Sequence, residues 1–243
     1  DGDFVTIIGG NGAGKSTLLN LIAGVHTCDT GTIRLNGRDL TNMSEYKRAA
    51  FLGRVFQDPM MGTASNMEIE ENLAMALRRG SLRTLKWGIK KEEKAIYREK
   101  LAMLDLGLES RLTSKVGLLS GGQRQALTLL MATLKKPKLL LLDEHTAALD
   151  PGTAEKVLEL TKSIVEDGQL TCLMITHNMH QALEVGNRTL MMYNGNIILD
   201  LSGEERENMT VEDLLDKFRV QAGKELDNDR ILLSGGMEAQ AGT

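Results

Sequence analysis

The chain has 243 residues, of which 42% are hydrophobic and 26% are charged, and its formal net charge is −4. This balance is typical of a globular protein with one sizeable core, and it excludes a disordered or fibrous chain. The acidic balance also argues against a nucleic-acid-binding protein, because such domains usually carry a basic excess on one face.

Cysteine usage and hydropathy exclude further classes of protein. Cys28 and Cys172 lie far apart and without CxxC spacing, so we expect neither a disulfide framework nor a zinc site, and a reducing compartment is the natural setting. No apolar run approaches the roughly 18 residues that cross a bilayer. The chain begins at Asp1, inside a segment that already predicts a strand, and we expect it to be incomplete at its N-terminus.

In the first half of the chain, short apolar runs precede a helix-rich stretch. The run FVTII at residues 4–8 predicts a strand that ends at a glycine cluster and is followed by a helix. The Asn36-Gly37 pair predicts a β-hairpin and residues 51–57 predict another strand, so we expect an accessory antiparallel sheet there. Helix formers with 3.6-residue apolar spacing then predict a helical subdomain over residues 62–136.

The second half of the chain alternates strands with helices, and this order predicts a parallel sheet and an α/β fold. We expect strands at residues 139–142, 170–175 and 189–193, helices at residues 153–165 and 179–185, and a second hairpin at Asn194-Gly195. A single domain is predicted over residues 1–222, with a polar, flexible tail over residues 223–243.

The glycine cluster has the pattern of a phosphate-binding loop. The sequence GGNGAGKST at residues 9–17 matches Gly, four residues, Gly, Lys and Ser or Thr, between a strand and a helix. Glycines there let backbone N–H groups turn towards an anion, and the helix dipole adds positive potential. We expect Lys15 to reach the β and γ phosphates of a nucleotide and the Ser16 hydroxyl to ligate Mg²⁺. The candidate nucleotide-binding residues are Gly9, Asn11, Gly12, Ala13, Gly14, Lys15, Ser16 and Thr17.

A leucine-rich strand that ends in two carboxylates is the second motif. In KLLLLDEHT, the predicted strand ends at Asp143 and Glu144. A carboxylate at the end of a strand beside a phosphate loop holds the water shell of Mg²⁺, and Asp143 is the candidate. Glu144 follows it and would orient the attacking water or accept its proton. Without the phosphate loop, a solvated strand end would explain these carboxylates equally well.

The third motif, LSGGQRQ at residues 119–125, begins a helical run. A Ser followed by two glycines at a helix start presents a hydroxyl and free N–H groups to an anion, which is a second phosphate grip in one chain. Together with the phosphate loop and LLLLDE, this motif resembles the signature set of ABC ATPases, whose LSGGQ grips the ATP bound to the opposite subunit. The resemblance implies a head-to-tail dimer in which Ser120 and Gly122 contact the partner's ATP.

The resemblance extends along almost the whole chain in the order of the family. Gln57 in VFQDP matches the Q-loop, Asp150 in AALDP matches the D-loop, and His177 in MITHN matches the switch histidine that contacts the γ-phosphate. It implies an ATPase with a P-loop NTPase core, an accessory antiparallel sheet and a helical subdomain. The implied catalytic residues are Glu144, His177 and Gln57, and the implied Mg²⁺ residues are Ser16, Gln57 and Asp143.

Two positions depart from the family pattern. The family usually has Pro after the catalytic Glu, and this chain has His145. His145 is either a titratable group beside the chemistry or a residue that caps the turn, and we favour the second interpretation. The family also stacks adenine on an aromatic residue well upstream of the phosphate loop, before the first residue of this sequence, so we assign no adenine-stacking residue.

Three classes of ABC protein fit the motifs to different degrees. Proteins that act on ribosomes usually carry two motif sets, and those that act on DNA insert long coiled coils, and this chain has neither. A transporter motor has one set on a chain without membrane spans, as here. A scaffold ATPase for iron-sulfur cluster assembly also has one set, and it stays open as the alternative.

A motor that is separate from its membrane domain resembles importers more than exporters. The resemblance therefore implies a location at the cytoplasmic face of the inner membrane. The implied partners are a second, identical motor subunit and an integral-membrane permease, and no nucleic acid is expected. The stretches MMGTASNMEIEENLAMALRRG and DEHTAALDP are similar to motors of a bacterial group that works with a substrate-binding lipoprotein. That group is thought to carry amino acids, with aromatic ones as one option.

Overall fold

The computed structural model describes residues 2–81, 88–221 and 223, and its core is a six-stranded mixed sheet. The strands are β1 (Phe4–Gly9), β2 (Arg34–Leu35), β3 (Arg38–Asp39), β4 (Leu52–Val55), β5 (Leu139–Asp143), β6 (Cys172–Ile175), β7 (Arg188–Tyr193) and β8 (Asn196–Ser202). The order across the sheet is β4-β5-β6-β1-β7-β8. Every neighbouring pair is parallel except β7 and β8, which are antiparallel.

Helices cover the sheet and form a separate group beside it. The helices are α1 (Lys15–Ala23), α2 (Glu45–Arg48), α3 (Ile69–Leu77), α4 (Lys91–Ala102), α5 (Gly121–Thr133), α6 (Pro151–Asp167), α7 (Met179–Glu184) and α8 (Gly203–Glu207). Short 3₁₀ turns occur at Leu108–Ser110 and Val116–Leu118, and residues 211–221 are also helical. No helix of the described ranges is long and apolar enough to cross a membrane.

The parallel register brings the functional loops to one edge of the sheet. The four leucines of β5 are all buried. A continuous apolar run of this kind is typical of a strand that is covered on both faces of the sheet. Asp143 is level with Ile175 of β6, and Ile175 is level with Ile7 of β1. Because the carboxyl ends of parallel strands share an edge, the loops after β1, β5 and β6 emerge next to each other.

Both hairpins predicted from Asn-Gly pairs are present. Asn36 and Gly37 have φ values of 49° and 75°, and Asn194 and Gly195 have 47° and 83°. Positive φ at both central residues is the requirement of the tight turns that match strand twist. These turns join β2 to β3 and β7 to β8.

The assignment of residues 51–57 to an accessory antiparallel sheet was wrong. Within the described residues the accessory sheet consists of β2 and β3 alone, and β4 pairs in parallel with β5 at the edge of the core sheet. Leu52 and Val55 of β4 are buried. The pairing partner of β4 lies more than eighty residues along the chain, as Leu52 faces Leu139, and a local pattern carries no information about such a partner.

The expected helices between residues 62 and 136 have an apolar core of their own. Ile69 and Leu73 of α3, Tyr97 of α4 and Leu127 of α5 pack in one buried cluster, whereas Leu129 of α5 packs on the sheet. Helix α5 therefore belongs to both cores. The limits of the subdomain and of the domain over residues 1–222 stay predictions, and the predicted tail lies outside the described residues apart from residue 223.

Candidate functional site

The phosphate loop joins β1 to α1 and is braced by the turn between β7 and β8, the strand pair next to β1. The N–H of Gly195 donates to the carbonyl of Ala13 at 3.1 Å. Gly14 caps α1 with φ of 94°. This left-handed conformation is unfavourable for residues that carry a side chain, and glycine adopts it freely. The Lys15 ammonium is buried and donates to the carbonyls of Gly9 and Gly10 at 2.9 and 3.0 Å. A positive charge is thereby held inside the loop.

Free backbone donors surround that charge. Among the described residues, no acceptor is found for the N–H groups of Gly14, Lys15, Ser16 and Thr17. Unpaired N–H groups in the first turn of a helix are the usual anion site of proteins, and α1 has no acidic residue there that would compete. Gly9, Asn11, Gly12 and Ala13 complete the loop, so the predicted nucleotide-binding residues are contiguous in space as in sequence.

Asp143 lies next to the phosphate loop, at the end of β5. Its Oδ1 accepts from the Ser16 hydroxyl at 3.4 Å, and its Oδ2 lies 3.8 Å from Nη2 of Arg54. Burial raises the pKa of Asp143, and the Glu144 charge raises it further, whereas Arg54 and Ser16 act in the opposite direction. Arg54 is itself held by Asn20, whose Oδ1 accepts from Nη2 at 2.7 Å.

The donor set fits Mg²⁺. Gln57 follows β4, is exposed, and lines the same cleft as Asp143 and Arg54. A carboxylate, a hydroxyl and an amide oxygen are hard ligands of the kind Mg²⁺ takes alongside water and substrate phosphates. The described residues contain no cluster of three or more His, Cys, Asp or Glu with metal-binding geometry. Of the three candidate ligands, Asp143 supplies the carboxylate.

Glu144 and His177 meet across the end of the sheet. Oε2 of Glu144 lies 3.4 Å from Nδ1 of His177, which follows β6. Glu144 has φ of 44°, an uncommon conformation for a residue with a side chain, and its N–H donates to the carbonyl of Ile175 at 3.1 Å. Strained backbone of this kind costs about 1–3 kcal/mol and persists where neighbouring contacts hold it, often at functional sites.

His145 does not face the site. Its ring is 2% exposed, and its Nε2 lies 2.9 Å from the hydroxyl of Thr161 on α6. Because that hydroxyl donates its single proton to the carbonyl of Val157, Nε2 of His145 is the donor to it. Burial lowers the pKa of His145 to about 4, so the ring is uncharged at neutral pH and anchors the loop to α6.

Ser120 is the N-cap of α5, and Gly122 lies in the first turn of this helix. The Ser120 hydroxyl accepts from the N–H of Gln123, and the side chain of Gln123 accepts from the N–H of Ser120 at 3.2 Å. Gly122 is buried against α6, and a Cβ there would lie 2.1 Å from Cγ2 of Thr153. The close approach of two helices explains the glycine.

Asp150 begins α6 beside this contact. Its carboxylate accepts from the N–H of Thr153 at 3.1 Å, and hydrogen bonding from Thr153, first from its side chain and then from its backbone, lowers the pKa of Asp150. Asp150 and Ser120 are both exposed. Within the described residues, neither of them forms a hydrogen bond to the phosphate loop or to Glu144.

The predicted site residues thus fall into two groups. The first group meets at the sheet edge and comprises Gly9, Asn11, Gly12, Ala13, Gly14, Lys15, Ser16, Thr17, Gln57, Asp143, Glu144 and His177. The second group surrounds the starts of α5 and α6 and comprises Ser120, Gly122 and Asp150. No hydrogen bond or ion pair of the described residues joins the two groups.

Sequence reasoning missed two buried amides that brace the loop around Gln57. Gln125 of α5 is fully buried and donates from Nε2 to the carbonyl of Phe56 at 3.1 Å. Asn72 of α3, also fully buried, exchanges hydrogen bonds with the backbone of Ala64 at 2.8 and 3.2 Å. Asn72 had a recognisable signal, since it is a polar residue on the apolar face of its helix. Gln125 is the last residue of the LSGGQRQ motif, and the motif pattern assigned no role to it.

Comparisons with known proteins agree with this geometry. Residues 1–147 match the family described as ABC transporter. The chain is 49% identical over 218 residues to a tyrosine transport ATP-binding protein of Clostridioides difficile, covering 90% of this chain and 86% of that protein. It is 36% identical over 199 residues to the thiamine import ATP-binding protein ThiQ of Photorhabdus laumondii, covering 82% and 80%.

A solved structure shows the same fold in a nucleotide-bound dimer. It is the dimeric structure of an ATP-binding cassette in a post-hydrolysis state, bound to ADP and Pi. It matches with a TM-score of 0.69 and 28% identity over 83% of this chain and 85% of that chain. The chain therefore belongs to the ABC transporter family, and it is an ATP-binding subunit that hydrolyses ATP.

Proposed function

We propose that two copies of this chain, arranged head to tail, hydrolyse ATP and thereby drive the import of a solute through a partner permease. The observation that carries the proposal is the division of the site. One group of residues meets around the phosphate loop, whereas Ser120 and Gly122 form no hydrogen bond or ion pair with it within the described part of the chain. A second copy would supply the missing grip to each nucleotide, and the dimeric cassette bound to ADP and Pi supports that arrangement.

Within one chain, the residues of the sheet edge have distinct tasks. The N–H groups of the phosphate loop and the Lys15 ammonium bind the phosphates. Ser16, Asp143 and Gln57 hold Mg²⁺, which neutralises negative charge on the transferred phosphoryl group when it is bound. Glu144 orients the attacking water and accepts its proton.

His177 completes the group at the sheet edge. Its ring holds Glu144 through Nδ1 and contacts the γ-phosphate. The distance of 3.4 Å between Nδ1 and Oε2 of Glu144 supports this role. Asp150 is assigned to the contact between the two copies. Its exposed position, next to the helix start that carries Ser120, supports this assignment.

The transported solute is proposed to be an amino acid of the tyrosine class. The identity of 49% with a tyrosine transport ATP-binding protein supports this class more strongly than the lower identity with the thiamine protein supports another. We propose that the chain is peripheral, at the cytoplasmic face of the inner membrane, and that a substrate-binding lipoprotein delivers the solute. The helical subdomain over residues 62–136 would contact the permease.

Affinity purification of the tagged chain from membranes, followed by mass spectrometry, tests the partners. We expect a multi-span permease and a substrate-binding lipoprotein to be recovered with it. Recovery of soluble partners alone, such as components of iron-sulfur cluster assembly, would overturn transport and leave the ATPase activity intact.

Uptake of radiolabelled solutes tests the substrate. In cells whose only copy carries Lys15→Ala, we expect tyrosine uptake to be lost, while methionine and thiamine uptake continue. Equal loss of all three, or unchanged tyrosine uptake, would contradict the assignment to the tyrosine class. The matched control is Lys162→Ala, which removes an ammonium from the exposed face of α6.

A further inference from the structure

A buried arginine lies at the C-terminal end of α7, the short helix that follows His177. Arg206 of α8 is 7% exposed, and within the described ranges no carboxylate forms an ion pair with it. A buried cation without such a partner is costly unless polar groups surround it. Arg206 has no place in the motifs, so its burial needs a separate explanation.

The partners of Arg206 are the last carbonyls of α7. Its Nη2 donates to the carbonyls of Ala182, Leu183 and Val185 at 2.9, 3.1 and 2.6 Å. The last four carbonyls of a helix have no partner within the helix, and the helix dipole makes that end negative. The guanidinium of Arg206 therefore supplies donors to the carbonyls of Ala182 and Leu183 in the last turn of α7 and of Val185 just after it, and it complements the dipole. The hydroxyls of Thr6 and Thr189 also donate to the carbonyl of Ala182.

A pair of threonines extends this contact to the strand before the phosphate loop. Nε of Arg206 donates to Oγ1 of Thr189 at 3.0 Å, and that hydroxyl lies 2.8 Å from Oγ1 of Thr6. Both threonines are fully buried. Thr6 belongs to β1, three residues before Gly9, so the end of α7 is tied to the strand that leads into the nucleotide site.

The other end of α7 begins next to His177. Asn178 caps the helix, with its Oδ1 accepting from the N–H of Gln181 at 3.2 Å, and its own N–H donates to Oγ1 of Thr176 at 3.1 Å. His177 lies between these two anchored residues. Helix α7 has only six residues, and a helix that short has little stability without tertiary contacts. Its position, and that of His177, depends on what holds its far end.

We propose that Arg206 is a positioning residue for His177: by fixing the C-terminal end of α7, it holds the imidazole at Glu144. This inference rests on the proposed role of His177 in hydrolysis. It predicts that weakening the contact moves α7 and lowers kcat, while nucleotide binding by the phosphate loop changes little.

The test compares Arg206→Lys and Arg206→Met with Arg188→Met in the full chain. Arg188 is a matched control, because it pairs with Asp200 on the exposed side of β7. Hydrogen exchange of residues 179–185 is expected to be about tenfold faster in Arg206→Lys than in the control, with α6 unchanged. The Lys variant retains a cation, so it keeps the test valid if the Met variant fails to fold.

Kinetics then decide whether the effect passes through His177. We expect Arg206→Lys to lower kcat about fivefold with the Kd for ATP within twofold, and to cause no further loss in a His177→Ala background, since residues that act as a unit are not additive. Unchanged exchange in α7, an equal loss of kcat in both backgrounds, or a weakened Kd without a loss of kcat would each overturn the proposal.

The same data separate this proposal from the proposed role of His177. If His177→Ala retains wild-type kcat, the role of His177 in hydrolysis is wrong, and the positioning proposal falls with it. If His177→Ala loses kcat while Arg206→Lys leaves kcat and exchange unchanged, His177 retains its role and only the assignment of Arg206 is wrong.

Discussion

The edge of the sheet and the start of α5 both present groups that bind anions, yet they are built differently. At the sheet edge, Lys15 follows β1, Asp143 and Glu144 stand at the end of β5, and His177 follows β6, so three neighbouring strands bring these groups together within one chain. At the start of α5, Ser120 has a filled cap with Gln123 and faces solvent. The first region joins its groups within one chain, and the second presents its groups on an exposed surface.

A nucleotide site that is divided between two copies provides a way to couple ATP hydrolysis to a movement of the copies. If both grips closed on the nucleotide within one chain, binding would change nothing outside that chain. A grip that is divided between two copies makes the distance between them depend on the nucleotide, because a ligand shifts a conformational equilibrium only through contacts that differ between the states. The buried amides of Gln125 and Asn72 connect α5 and α3 to the segment that follows β4, at Phe56 and Ala64.

The largest expected effect follows from removing the acceptor at the sheet edge. Glu144→Gln keeps the shape of the side chain but does not accept a proton, so we expect turnover to fall at least about 100-fold. ATP binding should persist, and the dimer should accumulate in the presence of ATP. A phosphate-release assay and light scattering measure the two outcomes. Glu159→Gln, on the exposed face of α6, is the control, and near-normal hydrolysis in Glu144→Gln would refute the assignment.

Mixing two inactive variants tests whether each nucleotide site is divided between two copies of the chain. Lys15→Ala removes the phosphate loop's charge, and Ser120→Asp places a negative charge against a partner's phosphate while keeping a residue that caps helices well. Each alone should be inactive. An equal mixture should regain roughly a quarter of wild-type turnover, because half of the dimers are mixed and each carries one intact site of two.

Ser120→Asn controls for the added charge, because Asn also caps helices and has a similar size. Mixed dimers are verified with two different affinity tags, and ATPase activity is measured on the doubly purified fraction. If that fraction has no activity at all, Ser120 acts on the nucleotide of its own chain, and the division of the site into two copies is wrong.

A smaller effect is expected where the two helix starts meet. Gly122→Ala brings a Cβ against Cγ2 of Thr153, a β-branched residue whose side chain is stiff in a helix. The free energy of unfolding should fall by about 1–3 kcal/mol, as for other overpacked contacts. Adding Thr153→Ser removes Cγ2 and should restore most of the loss in urea unfolding. Gly121→Ala, whose nearest contact is Leu149 at 3.4 Å, is the control.

Local signals predicted much of this molecule. The strands that build the sheet edge, both Asn-Gly hairpins and helices α6 and α7 follow from periodicity and turn residues, which act over a few positions. The motif order located the residues that meet at the sheet edge, because each motif directly follows a strand.

Long-range contacts were beyond the reach of such signals. The parallel pairing of β4 with β5 depends on a partner far along the chain, and Arg206 lies in a short polar segment that resembles any exposed helix. Its burial depends on α7 and Thr189, which only the folded chain brings together. His145 was ambiguous for the same reason, since its contact with Thr161 is sixteen residues away.

The smallest expected effect concerns how the loop between the two regions is anchored. The pKa of His145 is about 4 in the folded chain and 6.5 is its ordinary value, so below pH 6.5 the unfolded chain binds a proton that the folded chain does not. The contribution of His145 to the free energy of unfolding is therefore fully present above pH 6.5 and is lost as the pH is lowered towards 4. Between pH 7.5 and 5.5, the loss should be about 1 kcal/mol.

His145→Gln, whose amide can donate to Thr161 in place of Nε2, should remove that pH dependence from urea unfolding curves. His180→Gln, on the exposed face of α7, should leave it unchanged. A pH dependence of the same size in wild type and His145→Gln would mean that the ring is protonated in the folded chain. The loop between Asp143 and Asp150 would then be anchored to α6 by something other than a neutral imidazole, and a titratable group would lie between the two regions after all.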